Sequence, residues 1–173
     1  LYQQNNDMVG WIKIPDTPVD YPVVKYSDNE FYLHKNFNKE YQFSGIPFLD
    51  YQSNDESVNK IIYAHNMKNG TMFASLADYE DKSFYDAHKN IMYDTLYDKG
   101  EYEIVYAFTT KFKYYNYADI ESEERFNEYV TQAKSRSFYD TGVNTVYGDS
   151  LITLSTCAYH TSNERFVVIA RKK

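Results

Sequence analysis

Short runs rich in β-branched and aromatic residues constrain this chain more than any other feature. They cover residues 11–14, 20–24, 46–49, 60–64, 91–95, 101–115, 151–156 and 166–170. Most are the length of a strand and too short for a packed helix. Turn chemistry separates them: Pro15 stops the first run, residues 66–70 end in Asn-Gly, and residues 97–100 join the fifth run to the sixth. Pro22 cannot donate to a ladder and marks residues 20–24 as an edge strand. In the sixth run Tyr102, Ile104 and Tyr106 fall on one side, with Glu103 and Val105 on the other. The last two runs make a hairpin, and its connection, residues 158–164, contains no glycine and reads as a loop. A mainly β fold follows, a mostly antiparallel barrel or sandwich.

Helical signals are fewer. Over residues 123–136, Phe126, Tyr129, Val130 and Ala133 recur at helical spacing and form one apolar stripe. Ser122 is placed to cap that helix, with Glu123 and Glu124 in its first turn and Lys134 and Arg136 in its last. Shorter helical stretches are expected at residues 28–33, at 72–79 capped by Thr71, and around 83–88. The polar start at Leu1 reads as the end of a helix, and the chain as the soluble part of a longer, anchored protein.

Composition narrows the function. At 173 residues the chain fits one domain, residues 1–173. The formal net charge of −7 argues against a nucleic-acid partner. Twenty tyrosines against 11 phenylalanines and one tryptophan point to strands and an aromatic, amphipathic surface. No apolar run is long enough to span a bilayer. The single cysteine, Cys157, excludes an intramolecular disulfide and a multi-thiolate zinc site. His34, His65, His88 and His160 show no metal-ligand spacing, so no metal site is expected.

Cys157 ends one strand-like run and Arg165 opens the next, eight positions on. A hairpin there sets a guanidinium beside a sulfur, and a nearby cation favours the reactive thiolate. Arginine is too basic to be a proton donor, but its fixed fork of N–H groups suits a developing oxyanion. A histidine is the natural proton donor for a leaving amine. His65, at the end of a run, and His160, in the loop after Cys157, both qualify on spacing. The competing reading is a buried, inert cysteine, since Cys is among the most buried residue types. His34 and His88 receive no role.

Residues 153–157, Thr-Leu-Ser-Thr-Cys, resemble the TLxTC signature of sortases, the cysteine transpeptidases of Gram-positive cell walls. Further stretches resemble class B members in order and spacing: residues 9–14, 20–24, 32–37, 62–68 with Gly70, Met72 and Phe73, and 165–168. The resemblance covers nearly the whole chain, including the long helix before the strand that bears the cysteine. It implies a closed sortase-type β-barrel of about eight strands, with an N-terminal helical segment and a long inserted helix at about 122–136. It assigns Cys157 as nucleophile, His65 as general acid/base in preference to His160, and Arg165 as the oxyanion-stabilising and substrate-positioning cation. It further implies a substrate groove formed by Asn29, Leu33, Tyr63, Tyr114, Tyr115 and Ser155.

The implied reaction is cleavage after Thr in a C-terminal sorting motif of surface proteins, NPxTN-like or PPxTG-like. A thioacyl enzyme forms, and the acyl group passes to a peptidoglycan amine. The resemblance implies no cofactor and no calcium site. It places the chain at the extracellular face of the membrane, anchored by a segment outside these 173 residues. Related members carry an acidic residue shortly after the cysteine, where this chain has Ala158-Tyr159-His160. The alternative function is a non-catalytic β-rich cell-surface binding module. A papain-like hydrolase of the wall is disfavoured because there the Cys precedes the His, whereas His65 precedes Cys157 here.

Overall fold

The computed structural model describes residues 1–111, 120, 122–157 and 164–173, with Cys157 described by its backbone. Eight strands among these residues close into a barrel: β1 (Met8–Lys13), β2 (Asp20–Lys25), β3 (Phe48–Leu49), β4 (Asn59–Tyr63), β5 (Asn90–Thr95), β6 (Glu101–Lys111), β7 (Leu151–Cys157) and β8 (Glu164–Lys172). Their order around the barrel is β1-β2-β3-β4-β7-β8-β6-β5. Six of the eight pairings are antiparallel; β2 with β3 and β4 with β7 are parallel. The closed, mainly β architecture expected from the resemblance is therefore present, and closure removes free sheet edges.

Pro22 fits the ring because the β2–β3 ladder involves only Val24 and Lys25. Pro22 itself pairs on one side alone, with Trp11 of β1. The strand is edge-like where the proline sits, although it is not an edge of the sheet.

Burial on both faces explains the unbroken apolar runs of β4 and β8. Along β8, Val168 and Ala170 join a core that gathers side chains from strands all round the barrel, including Ile12, Val23, Ile62, Ile104 and Leu154. The alternate residues Val167 and Ile169 join a second core with Val105, Phe108, Phe126 and Tyr129. A bulge between Ile104 and Tyr106 interrupts the expected alternation of β6. Tyr106 consequently packs in the second core while Tyr102 and Ile104 pack in the first.

Helix α1 is Lys82–Ala87, capped by the Asp81 side chain on the Ser83 N–H. Helix α2, Glu123–Arg136, matches its expected bounds, and Ser122 accepts the Arg125 N–H at its N-terminus. Two further segments, Phe31–His34 and Ala74–Glu80, are 3₁₀ turns. The second begins later than expected: its cap position is Phe73, and the Thr71 hydroxyl instead donates to Asn69. Helical structure at the very N-terminus amounts to a turn in which the Gln4 and Asn5 N–H groups donate to the Leu1 carbonyl.

The tyrosine excess serves the core as much as the surface. Tyr32, Tyr79, Tyr85, Tyr93, Tyr102, Tyr106 and Tyr129 are all buried, beyond the amphipathic surface that the composition suggested. Several bury the ring and bond the hydroxyl: Tyr32 donates to Asp7, and Tyr79 to the His88 carbonyl. Tyr129 does most for the site. Its hydroxyl takes a bond from Asn59 Nδ2 at 3.1 Å and meets Thr153 Oγ1 at 3.2 Å, while Thr153 donates to Asn59 Oδ1 at 2.8 Å. This buried ring of bonds ties α2 to β4 and β7, the parallel pair. Tyr129→Phe keeps the ring and deletes the hydroxyl that joins the other two, so it should cost about 1–2 kcal/mol in urea unfolding. An unchanged unfolding midpoint would show that the three bonds do not hold α2 to the sheet.

Candidate active site

The parallel pair sets the geometry. Tyr63 pairs with Ser155, and the ladder continues as the Ala64 N–H donates to the Ser155 carbonyl. His65 follows with the same residue offset to Cys157 (155 − 63 = 92; 157 − 65 = 92). Parallel strands run level and about 4.8 Å apart, so this register carries His65 to the height of Cys157. On the other side, antiparallel pairing sets Cys157 opposite Arg165. The cysteine position thus has an arginine from β8's start on one side and, on the other, the segment that carries the histidine two residues past β4.

His65 is half-buried, and its Nε2 lies 2.8 Å from the Leu33 carbonyl oxygen. A carbonyl only accepts, so Nε2 carries a hydrogen there and Nδ1 is the nitrogen able to gain or lose a proton. Leu33 sits in the 3₁₀ turn Phe31–His34, which rests on Gly45. That glycine has φ +57°, and a Cβ added to it would fall 2.4 Å from the Leu33 oxygen and 2.5 Å from the Tyr32 oxygen. The glycine therefore permits the close approach that holds the histidine's carbonyl partner in place. His34, given no role from the sequence, stacks on His65 with ring centroids 5.3 Å apart. Its Nδ1 lies 3.0 Å from the Phe43 carbonyl oxygen.

Asn29, Leu33, Tyr63, His65, Ser155 and Arg165 line one pocket of about 170 Å³, with mostly apolar walls. Phe48, Ala64 and Thr156 complete the lining. The Thr156 hydroxyl is buried and has no hydrogen-bond partner among the described residues. The structure thus brings together six of the nine singled-out residues in one lining, with Cys157 at its strand level. Tyr114 and Tyr115 lie outside the described residues, as does His160. His88 is remote from this group and bonds the Phe84 carbonyl beside α1.

Comparison with known proteins gives the family. The family model described as the sortase domain matches residues 12–173. The chain belongs to the sortase family. Sortase B of Listeria monocytogenes is 42% identical over 161 residues, covering 91% of this chain and 65% of that protein. The chain therefore spans slightly less than two thirds of that relative's length. A Staphylococcus aureus sortase B solved as a substrate complex superposes with a TM-score of 0.93 at 33% identity, covering 99% of this chain and 82% of that one. A sortase B solved in complex with triglycine gives 0.94, also at 33% identity, over 99% and 83% of the two chains.

Sequence reasoning gave no role to three residues in or beside this pocket: His34, Phe48 and Asp50, whose carboxylate accepts from Tyr63 and Asn29. His34 directly follows Leu33, but only the turn's geometry shows that its ring reaches His65. Phe48 stands across the β3–β4 ladder from Tyr63, with ring centroids 5.5 Å apart. Gly45→Ala adds a methyl in a left-handed conformation against two backbone oxygens. It should cost roughly 1–3 kcal/mol of stability and displace the Leu33 carbonyl from His65. Thermal unfolding checks this, and a melting temperature equal to the parent's would contradict the close packing.

Proposed function

We propose that this chain is a class B sortase-type cysteine transpeptidase acting at the outer face of the membrane on sorting-motif proteins. One observation carries the reading: Arg165 pairs with Cys157 across β7 and β8, and His65 and Arg165 line the same pocket. The neighbours solved with substrate and with triglycine support a peptide donor and an amine acceptor.

In this reading the Cys157 thiolate attacks the carbonyl carbon of the motif's threonine. The carbonyl π electrons move to oxygen, and the Arg165 guanidinium donates hydrogen bonds to that oxyanion. The tetrahedral intermediate collapses as the C–N bond breaks. His65 protonates the departing amine, and a thioacyl enzyme remains. A peptidoglycan amine then attacks the thioester carbonyl and gives its proton to His65, and Cys157 leaves as thiolate. The pocket's apolar walls, with Leu33 and Phe48, exclude water that would otherwise hydrolyse the thioester. The donor motif is NPxTN-like or PPxTG-like, with Asn29, Leu33, Tyr63, Tyr114, Tyr115 and Ser155 as its binding residues.

Cleavage of quenched peptides bearing these motifs tests the proposal. Cys157→Ala should abolish turnover, and a variant that cleaves as well as the parent would refute the nucleophile. Arg165→Lys keeps the charge and loses the planar fork, so kcat/KM should fall about 10²–10³-fold. Near-normal turnover there would remove Arg165 from the oxyanion role.

A further inference from the structure

Behind the pocket wall lies a carboxylate that the mechanism does not use. Asp50 follows β3 and is only 4% exposed. Burying a carboxylate is costly unless hydrogen bonds replace its water, and Asp50 receives three. Its Oδ1 accepts the Gln52 N–H at 2.8 Å. Its Oδ2 accepts both the Tyr63 hydroxyl and Asn29 Nδ2, each at 2.9 Å. Tyr63 ends β4 and Asn29 lies in the bend before the Phe31–His34 turn; both line the pocket, and they share this one oxygen.

That sharing fixes what the two side chains show to a ligand. A carboxylate only accepts, so Tyr63 commits its one hydroxyl proton to Asp50. Towards any other group the Tyr63 oxygen then acts as an acceptor. Asn29 is oriented without ambiguity, because its Oδ1 accepts the Tyr51 N–H at 3.0 Å while its Nδ2 faces the carboxylate. The second N–H on Nδ2 is a donor. The wall therefore presents an acceptor and a donor from two residues braced on the same atom.

We infer that Asp50 is a positioning residue that sets the hydrogen-bond polarity of this wall, so that the pocket selects a carboxamide over a carboxylate. A carboxamide supplies both a donor for Tyr63 and an acceptor for Asn29. A carboxylate of the same shape sets two acceptors against the Tyr63 oxygen and brings a second negative charge towards Asp50. This deepens the transpeptidase reading and rests on it for the peptide ligand, but the selection itself is a binding property that needs no turnover.

Binding is accordingly measured on a Cys157→Ala background, by calorimetry with NPxTN-type peptides in which each Asn in turn is replaced by Asp. One of these replacements should weaken binding at least about tenfold. Adding Asp50→Ala frees the Tyr63 proton to turn into the pocket, and the Asn/Asp ratio at that position should shrink to within about threefold. If Asp50→Ala does not fold by circular dichroism, Tyr63→Phe replaces it. That variant keeps the carboxylate and removes the acceptor oxygen, and should erase the same ratio. The inference is overturned if no replacement weakens binding, or if the ratio survives in the folded variant. Cleavage by the parent enzyme with an unmoved ratio would leave the transpeptidase standing and remove Asp50 from substrate selection.

Discussion

The parallel pairing of β4 with β7 is the constraint on which the rest of the site depends. A parallel ladder needs its partners held from elsewhere, since no hairpin ties them together. Here the hold comes from both sides. Antiparallel β8 closes on β7, and the buried Asn59–Tyr129–Thr153 bonds fasten helix α2 across the two parallel strands. A register slip of one residue would turn every side chain of β4 to the opposite face. It would also lift His65 out of level with Cys157. The Thr that opens the TLxTC stretch, Thr153, is thus a structural bolt for the Cys that ends it.

Around that register the site is assembled from parts that the chain keeps far apart. The 3₁₀ turn Phe31–His34 brings a carbonyl to His65, and Gly45 gives the turn room. β3 adds Phe48, and the residue after it, Asp50, braces the polar wall. The barrel end therefore joins a guanidinium, an imidazole and an oriented pair of polar groups. Each is held by backbone or by buried partners, the supporting layer that preorganised sites require.

Much of this was legible in the sequence where the signal is local. The β7–β8 hairpin follows from two apolar runs and a short polar connection. Helix α2 follows from its stripe and its cap. Cys157 opposite Arg165 follows from the hairpin alone. Choosing between His65 and His160 did not, because a parallel partner 92 residues away leaves no pattern in either strand, and it took the family resemblance to decide for His65. The β6 bulge is likewise silent: one extra residue moves Tyr106 to the other core without changing composition. The tyrosine count suggested an amphipathic surface, yet Tyr32, Tyr79 and Tyr129 are buried and each finds a partner for its hydroxyl. Asp50 and His34 were missed because each acts on a residue distant in sequence.

In the proposed reaction Cys157, with His65 and Arg165 beside it, carries the acyl group of a sorting peptide. Intact-protein mass spectrometry after mixing with a motif peptide, in the absence of any amine acceptor, tests it most directly. The expected result is a mass increase equal to the fragment ending in threonine, mapped to Cys157 and removed by adding an amine. An unmodified protein that nonetheless cleaves the peptide, or an adduct mapped to another residue, would contradict it.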